Sequence, residues 1–494
     1  MGRFTMGFKD LRDWINTLET QGELHRIKAE VDWDLEISEI LRRVNRTRGP
    51  AILFENIKDY QEGWCRKLFA GGLGNRTRMA LMFGLPKDAS HAEMIQLLRK
   101  RIREPVEPTL VENGPVKENV IERANIDLYQ IPVPKWHELD GGRYINSWAA
   151  CVTEDPETGR RNVGCYRGMI TEKNRIGVLL LKSQDWGMHY AKYQKMGKPM
   201  PVAVIYGWDP SMIFVAGAPF PVYEFELMGA IRQESVELVK CETSHLHVPA
   251  TAEIVVEGTI SPDPGSYVEE GPFGEITGFY GGWDGKRPVI DVHCITHRDD
   301  PIYRGSLEGT SKGIVSEYAM FSHVAFSAVM WNILEMQGLS SGVLDLVPAP
   351  TTIIKIHKSY QGQPRQLAAA LWGSKFGSNT GKIVVVVEEN VDIRNLREVE
   401  LAIHANVDPT RDIIVFPMGA GSPLDTSLSP DARDEIKYGS PLQDKVLIDA
   451  TVDWTTHPKR IEWGGERFPP KCTESPPEIV EIVDKRWAEY GFDS

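Results

Sequence analysis

The sequence predicts an α+β protein in which two α/β parts flank a mainly β central part. Helix and strand signals alternate over the first hundred residues, and short β-rich runs separated by Gly, Pro and Asn follow from about Ile121. Strands separated by helices return after a long apolar helix. Because 494 residues are about three times the usual domain length, we expect several domains, at 1–120, 121–310, 311–475 and 476–494.

Three runs predict the N-terminal part. "AILFENI" predicts a buried strand, and "SHAEMIQLLRKRIREPV" predicts a helix that is capped by Ser90 and ends before Pro105. In "FKDLRDWINTLETQG" the apolar residues recur at helical spacing up to Gly22. This run predicts a helix whose apolar stripe is formed by Phe8, Leu11, Trp14, Ile15 and Leu18.

Regularly spaced short strands predict a barrel or a sandwich for the central part. The run "EFELMGAIRQE" predicts a helix inserted among them. The strands are predicted from "RNVGCYRGMIT", "RIGVLLLKS", "PVAVIYGWDP", "AEIVVEGTI" and "RPVIDVHCITH".

The C-terminal part begins with "SEYAMFSHVAFSAVMWNILEMQG", which predicts a buried or interface helix, too often interrupted by polar residues to span a membrane. "TTIIKIHK", "GKIVVVVEENVDI" and "RDIIVFP", separated by helical patterns, predict βαβ units. The final run "PPEIVEIVDKRWAEYGF" predicts a helix that docks on its own domain or on a partner subunit. One side of this helix carries Ile479, Ile482, Val483, Trp487 and Tyr490.

Composition argues against several classes of protein. The 69 acidic and 56 basic side chains leave a formal net charge of -13, which argues against a broad nucleic-acid-binding or anionic-membrane-binding surface. No run approaches eighteen uninterrupted apolar residues, and no apolar signal core precedes the first charges, so we expect a cytoplasmic protein. The six cysteines form no C-x-x-C pair, which argues against a disulfide framework or a cysteine zinc site.

Two glutamates, Glu270 and Glu275, stand at the ends of the link Gly-Pro-Phe-Gly. Residues that flank a hairpin-like turn approach each other, and two close carboxylates raise one of their pKa values, so that one can donate a proton near neutral pH. A solvated turn with charged shoulders is the simpler interpretation of such a pair. Here three backbone-shaping residues surround Phe273, a composition that favours a built wall.

Other candidates are single residues. Arg167, which suits bidentate binding of a carboxylate, follows Asn162 by five positions in a strand-like run, so the two point to opposite faces unless a bulge intervenes. For a single arginine, a position on the protein surface is nevertheless more common than a role in binding a carboxylate. Glu224 opens a helical run, where it either compensates the helix dipole or binds a metal. His245 and His247 are a weak metal signal, and the H-E-x-x-H and G-x-G-x-x-G motifs are absent from the sequence.

Several of these fragments occur together in the order, and near the spacing, of the UbiD-like decarboxylases. The fragments are "RNVGCYRG", "PFPVYEFELMGAIRQESVELVKCETSHLHVPATAEIVVEG" and "EGPFGEITGFY", and the similarity continues into "GKIVVVVEENVDIRNLREVELAIHANVDPTRD". The chain therefore resembles this family over most of its length. The resemblance implies that 121–310 form a split β-barrel that binds prenylated FMN, 311–475 an oligomerisation domain and 476–494 a docking helix.

The resemblance also implies roles for the charged residues. Arg167 would meet the substrate carboxylate, Glu270 would pair with Arg167, and Glu275 would protonate the carbon after CO2 leaves. An ion pair would keep Glu270 charged, whereas a drier setting would raise the pKa of Glu275.

In the family a divalent ion, typically manganese (Mn2+) with potassium (K+) nearby, bridges the cofactor phosphate to an Asn, a His and a Glu. Asn162 and Glu224 match the first and third of these ligands. The His is missing, because its expected place falls at Ser183 or Gln184, with His189 close by. Gln184 could bind the ion through its amide oxygen, which is a weaker ligand.

Two further matches concern the phosphate and the substrate. Lys375 in "WGSKFGS" matches the family's lysine that contacts the cofactor phosphate, with Lys382 as the alternative. The run "GAGSPLD" matches a segment of the family's substrate pocket. Ser422 and Leu424 would form the pocket wall. Ser422 stands where cinnamate-type members carry a bulky aromatic, which leaves room for a ring attached directly to the carboxylate.

The implied function is the reversible decarboxylation of an aromatic or heteroaromatic acid, releasing CO2. Loss of CO2 from an aryl acid leaves a carbanion that needs an electron sink, which no unmodified side chain supplies. Hydroxylated benzoic acids, indole or pyrrole carboxylates and acrylic acids stay open as substrates. Expected partners are a flavin prenyltransferase that supplies the cofactor and further copies of the chain, as a dimer or hexamer. The alternatives are an ordinary FMN-dependent oxidoreductase and a non-catalytic family member.

Overall fold

The computed structural model describes most of the chain. The described residues are 7–182, 184–220, 222–282, 285–309, 316–378, 381–467, 469, 472 and 475–492.

The N-terminal part packs helices against a short sheet. Its elements are α1 (Leu11–Thr20), β1 (Leu24–Ile27), α2 (Glu36–Arg46), β2 (Ala51–Phe54), β3 (Lys67–Ala70), α3 (Arg76–Met82), α4 (His91–Arg101) and β4 (Thr109–Leu110).

The predicted N-terminal elements are confirmed. The buried strand β2 lies in "AILFENI", and Ser90 caps α4 in a capping box with Glu93. Phe8, predicted on the stripe of α1, precedes the helix and packs edge-on against Trp14 at 4.7 Å between ring centroids. The buried residues of α1 are Leu11, Trp14, Ile15 and Leu18.

The central part is mainly β, as predicted. Its helices are α5 (Asp185–Met196), α6 (Met212–Ala216) and α7 (Glu224–Arg232), the last of which confirms the predicted insertion. Its strands are β5 (Asn119–Glu122), β6 (Arg143–Tyr144), β7 (Ala149–Glu154), β8 (Arg161–Gly164), β9 (Gly168–Glu172), β10 (Arg175–Val178), β11 (Met200–Tyr206), β12 (Glu237–Lys240), β13 (His247–Pro249), β14 (Ile254–Ile260), β15 (Val268–Glu269), β16 (Phe273–Gly274), β17 (Tyr280–Gly281), β18 (Lys286–Arg287), β19 (Val289–His297) and β20 (Ile302–Arg304).

A nine-stranded sheet organises this part in the order β6-β9-β10-β19-β14-β11-β7-β8, with β5 beside β19. The sheet curls into a half-barrel. Both faces of its inner strands are covered. Because successive side chains of a strand point to opposite faces, successive residues enter two different hydrophobic cores. In β11, for example, Val204 packs into one core and Ile205 into the other. After β19 the chain leaves the half-barrel, and β20 joins the N-terminal sheet beside β3.

The C-terminal part contains the long buried helix α8 and a five-stranded sheet in the order β21-β22-β23-β25-β24. The predicted βαβ unit is confirmed for β22, α9 and β23, which is parallel to β22. By contrast, β24 lies at the sheet edge and is antiparallel to β25. The elements are α8 (Glu317–Met336), β21 (Val343–Val347), β22 (Thr352–Ile356), α9 (Gln363–Trp372), β23 (Ile383–Glu388), α10 (Leu396–Asn406), α11 (Pro409–Asp412), β24 (Ile413–Ala420), α12 (Glu435–Tyr438), β25 (Leu442–Asp449) and α13 (Pro477–Lys485).

The last helix, α13, presents its apolar residues to the surface of the chain. Ile479 and Ile482 are both exposed, as are Trp487 and Tyr490 in the short turn that follows. Trp487 stacks on Phe492 at 4.5 Å between ring centroids. Docking of this helix on a partner stays a prediction.

Among the residues that the structure describes, no helix has the length and apolar character needed to cross a membrane. The six cysteines are free thiols, and four of them, Cys65, Cys151, Cys241 and Cys294, are buried.

Candidate active site

Arg167 lies where the chain crosses from one end of the half-barrel sheet to the other. Strand β8 ends at Gly164 and β9 begins at Gly168, and these strands are far apart in the strand order. The continuous strand predicted over "RNVGCYRGMIT" is therefore wrong, and strand alternation does not decide where Asn162 and Arg167 point. The interruption frees Arg167 from the pleat of the sheet.

Arg167 binds both of the glutamates that the sequence singled out. Its Nε and Nη2 donate to the two carboxylate oxygens of Glu270 at 3.0 and 2.8 Å, which is the fork geometry of a bidentate pair. Its Nη1 donates to Glu275 Oε1. All three side chains are buried. Because a guanidinium carries five N–H donors, these three bonds leave two for the carboxylate of a ligand.

Two aromatic rings complete this cluster. The hydroxyl of Tyr144 donates to Glu270 Oε1 at 2.8 Å, and the Phe273 ring lies 4.2 Å from the Tyr144 ring and 5.7 Å from the Arg167 guanidinium carbon. Phe273 is buried, which confirms the prediction of a built wall. Sequence reasoning missed Tyr144, because one tyrosine in "GGRYINSW" carries no pattern that distinguishes it from a core residue.

The hairpin turn lies further along the chain than predicted. Phe273–Gly274 pairs with Tyr280–Gly281, and Glu275 N donates to Phe279 O at 3.0 Å, so the turn comprises residues 275–279. The two glutamates therefore converge by binding Arg167 and do not face each other across the Gly-Pro-Phe-Gly link. Gly271 has a φ of +111°, and a Cβ there would lie 1.9 Å from the Gly282 carbonyl oxygen.

Burial raises the pKa of Glu275 above its ordinary value, although the Arg167 charge lowers it. The neighbouring Glu270 raises this pKa further. Glu275 therefore holds its proton to higher pH than an exposed glutamate does, as a proton donor near neutral pH must.

Asp140 and His137 support the turn that carries Glu275. Asp140 accepts hydrogen bonds from the backbone N–H groups of Gly274 at 2.9 Å and His137 at 3.0 Å. His137 Nε2 lies 3.2 Å from the carbonyl oxygen of Glu308. The pair thus joins the turn that carries Glu275 to the segment 305–309. Neither residue was predicted, since their role depends on loops distant in sequence.

The residues expected to bind a metal include an unsatisfied carboxylate. Glu224 begins α7, and its Oε2 is buried without a hydrogen-bond partner among the described residues. Burial raises its pKa to about 8. Asn162 is also buried, and its Nδ2 donates to the Tyr166 hydroxyl at 3.2 Å. Gln184 is the N-cap residue of α5, and its side chain makes no capping hydrogen bond.

Asp185, which sequence reasoning missed, connects this group to the expected phosphate lysine. Lys375 Nζ donates to Asp185 Oδ1 at 3.2 Å. Burial is the main cause of the raised pKa of Glu224, and the Asp185 charge raises it further. In the sequence, the signal that could have identified Asp185 is its position next to Gln184 in "KSQDWG". A cationic side chain and several oxygen atoms thus lie near the start of α5.

The other metal candidates lie apart from this group or outside the described residues. His189 faces the protein interior, with Nδ1 2.9 Å from Thr153 Oγ1. His245 pairs with Glu154 at 2.9 Å. Ser183 lies outside the described residues. Across the part of the chain that the structure describes, no cluster of three or more His, Cys, Asp or Glu side chains could hold a metal ion.

The expected pocket wall lies in the C-terminal part, after β24. Ser422 and Leu424 are both half-buried, and the Leu424 N–H donates to Ser422 Oγ at 3.2 Å. Lys382 binds Asp425 Oδ2 at 2.9 Å in the same segment. Among the described residues, no hydrogen bond or ion pair connects Ser422 or Leu424 to the Arg167 cluster.

Three family models match the chain. They describe the N-terminal domain of 3-octaprenyl-4-hydroxybenzoate carboxy-lyase over residues 15–98, its Rift-related domain over 109–311 and its C-terminal domain over 347–450. All three are UbiD domains, and together they match most of the chain. The chain belongs to the UbiD family of carboxy-lyases.

Relatives of this UbiD-family chain match it nearly end to end. An uncharacterised protein of Synechocystis sp. is 34% identical over 98% of this chain and 96% of its own length. The vanillic acid decarboxylase of Sedimentibacter hydroxybenzoicus, in its closed form, is 30% identical with a TM-score of 0.83, covering 98% of this chain and 99% of that one. The UbiD-class enzyme HmfF of Pelotomaculum thermopropionicum, in complex with FMN, is 30% identical with a TM-score of 0.79, covering 96% and 99%. These matches confirm the mixed α+β fold.

Proposed function

We propose that this UbiD-family chain is a reversible decarboxylase of an aromatic or heteroaromatic carboxylic acid that uses prenylated FMN. The convergence of Arg167, Glu270 and Glu275 in one buried cluster carries this proposal. A buried guanidinium with N–H groups to spare suits a substrate carboxylate, and a buried carboxylic acid beside it suits proton transfer to carbon. An evolved dimeric form of HmfF has been solved in complex with prFMN, which supports the choice of cofactor.

In the proposed mechanism Arg167 holds the substrate carboxylate while Glu270 and Tyr144 hold Arg167 in position. Prenylated FMN, when bound, would supply the electron sink for the electron pair that departing CO2 leaves on the ring carbon. A site that excludes water favours release of neutral CO2 over the charged acid. Glu275 then transfers its proton to the carbon that lost CO2, so that the carboxylate and the proton become arene and CO2, and water returns a proton to Glu275. In the reverse direction the Glu275 carboxylate takes a proton from that carbon.

The group around the start of α5 fits a phosphate and a divalent ion. Glu224 Oε2, a buried oxygen to which the described residues donate no hydrogen bond, is one that an ion would satisfy. We therefore propose that Asn162, Glu224 and Gln184 bind Mn2+ at the cofactor phosphate, with K+ nearby and with Lys375 contacting the phosphate. Metal analysis of the purified loaded protein tests this assignment.

The remaining features of the proposal concern partners and location. A flavin prenyltransferase would supply the cofactor, and further copies of the chain would form a dimer or a hexamer in the cytoplasm. Residues 1–120, 121–310, 311–475 and 476–494 would act as N-terminal, flavin-binding, oligomerisation and docking units, with Ser422 and Leu424 lining the substrate pocket.

Co-expression with a flavin prenyltransferase tests the proposed function. The visible spectrum and mass of the bound cofactor should identify prenylated FMN, and a panel of aryl and heteroaryl acids should include one that releases CO2. Protein made without the prenyltransferase, the matched control, should release none. A flavin that a nicotinamide donor bleaches, without CO2 release from any acid, would identify an oxidoreductase and reject the proposal.

A further inference from the structure

Glu308 is a buried carboxyl group without a hydrogen-bond partner among the residues that the structure describes. It lies in the segment 305–309 that follows β20, and only 7% of the residue is exposed. Neither of its carboxyl oxygens makes a hydrogen bond to any described residue. The nearby Ser306 hydroxyl, also buried and without a hydrogen-bond partner among the described residues, lies close enough to oppose the effect of burial on the pKa of Glu308.

An unpaired buried carboxyl group destabilises a folded protein, so stability does not explain Glu308. The nearby Glu317 shows the contrast, because it accepts hydrogen bonds from the backbone N–H groups of Gly71 at 2.9 Å and Leu73 at 2.6 Å and from Arg304. Arg304, the cation that acts on Glu308, is therefore already paired. The described residues therefore leave the Glu308 carboxyl group open to a hydrogen bond from a ligand.

The surroundings of Glu308 point to the candidate active site. Its carboxyl group interacts electrostatically with Glu275 of the Arg167 cluster, with Cys165 two residues before Arg167, and with Tyr318 at the start of α8. Its backbone carbonyl is fixed by His137, which with Asp140 also holds the Glu275 turn. Glu308 and Glu275 are therefore positioned by one shared support.

We propose that Glu308 is a specificity-determining residue that hydrogen-bonds a hydroxyl group on the ring of the substrate acid. This inference rests on the proposed function, in which Arg167 binds the substrate carboxylate and Glu275 faces the reacting carbon. A third polar group, held through His137 to the turn that carries Glu275, suits another polar substituent of the same ring. A carboxyl group can donate to a hydroxyl oxygen or accept its proton, so it suits such a substituent in either protonation state. A site built to bind a hydroxyl discriminates strongly against the analogue that lacks it, because its polar group is then left unpaired.

The test compares benzoate with 3- and 4-hydroxybenzoate on protein loaded by co-expression with a flavin prenyltransferase. Calorimetry should show the better hydroxybenzoate binding at least about 10-fold tighter than benzoate to the unaltered protein. In Glu308→Leu this ratio should fall to about one, with the benzoate Kd little changed, whereas Glu308→Gln, which keeps a donor and an acceptor, should retain most of it. Replacing an unpaired carboxyl with an apolar group should leave the melting temperature unchanged or higher.

Several outcomes would overturn the inference. An unaltered protein that binds the three acids equally, or a Glu308→Leu variant that keeps the ratio, would show that no hydroxyl contacts this residue. Loss of bound flavin in Glu308→Leu and Glu308→Gln would assign the carboxyl group to the cofactor instead. Glu257→Gln is the control, because Glu257 is a buried carboxylate that accepts from the backbone N–H groups of Glu242 and Thr243 and from the Thr243 hydroxyl. It should lower the melting temperature but leave the hydroxybenzoate-to-benzoate ratio unchanged. If the unaltered loaded protein releases no CO2 from any acid, the proposed function fails instead.

Discussion

At the scale of single residues, the charge balance of the Arg167 cluster determines which carboxyl group carries a proton. One guanidinium faces two carboxyl groups, all buried, so ionisation of both would leave a net negative charge in a medium that solvates it poorly. Glu270 interacts more extensively with the Arg167 charge, because Arg167 binds both of its carboxylate oxygens. The Tyr144 hydroxyl donates a further hydrogen bond to Glu270. Burial also raises the pKa of Glu275, which favours its protonated form.

Replacing Glu275 with Gln should reduce turnover by about 100- to 10,000-fold, which is the usual range for the loss of a general acid. The amide has a similar size and can still accept a hydrogen bond from Arg167, so the bound flavin and the melting temperature should be preserved. The measurement is the rate of CO2 release under saturating substrate. Glu269→Gln, an exposed neighbour on the same segment, should leave the rate unchanged. A fully active Glu275→Gln variant would reject the assignment.

The pH dependence of decarboxylation should carry the signature of Glu275. The protonated form is the donor, so kcat/KM should fall as pH rises through the raised pKa of this residue, above the ordinary value of about 4.3 for glutamate. Because the Glu270 charge raises this pKa, Glu270→Gln should shift the alkaline limb of the profile to lower pH. The carboxylation direction should show the opposite dependence. If the alkaline limb lies at the same pH in the unaltered protein and in Glu270→Gln, a group other than Glu275 is titrating.

At the scale of elements, local patterns predicted the helices and strands well, whereas the site depended on long-range contacts. The capping box at Ser90 and the stripe of α1 could be predicted because helix signals lie within a few residues of each other. The break between β8 and β9 at Arg167 could not, since a continuous β-rich run does not show where a sheet exchanges partners. The Arg167 cluster was expected through family resemblance, while Tyr144 and Asp140 approach Glu270 and Gly274 from more than a hundred residues away.

Asp140→Asn should loosen the turn that carries Glu275. The Asp140 carboxylate accepts two backbone N–H groups in a buried setting, and an amide would turn its own donor towards one of them, at a cost of about 1–3 kcal/mol. We expect a lower melting temperature together with a reduced rate of CO2 release. Asp263→Asn is the control, because Asp263 also accepts from a backbone N–H, that of Gly265, but is exposed. Equal effects of the two substitutions on rate would contradict a positioning role for Asp140.

At the scale of the whole molecule, the described residues leave two apolar surfaces of the C-terminal part uncovered. Ile479 and Ile482 of α13 are close to half exposed, and Val415 and Met418 of β24 are exposed to 60% and 70%. Apolar side chains grouped on one helix face and one edge strand are typical of surfaces that contact another subunit. Such contacts would remove this apolar area from water and cover the edge of the five-stranded sheet.

Ile482→Asp should therefore weaken self-association of the chain. A charge in the centre of an apolar contact is left desolvated and unpaired when the contact forms, so the association constant should fall by at least about 10-fold. Light scattering across a range of protein concentrations measures the mass directly. Asp484→Lys, which changes charge at an exposed position two residues further along α13, should leave the mass unchanged. An unaltered protein that stays monomeric at high concentration, or an Ile482→Asp variant that keeps the full oligomeric mass on dilution, would exclude α13 from the contact between subunits.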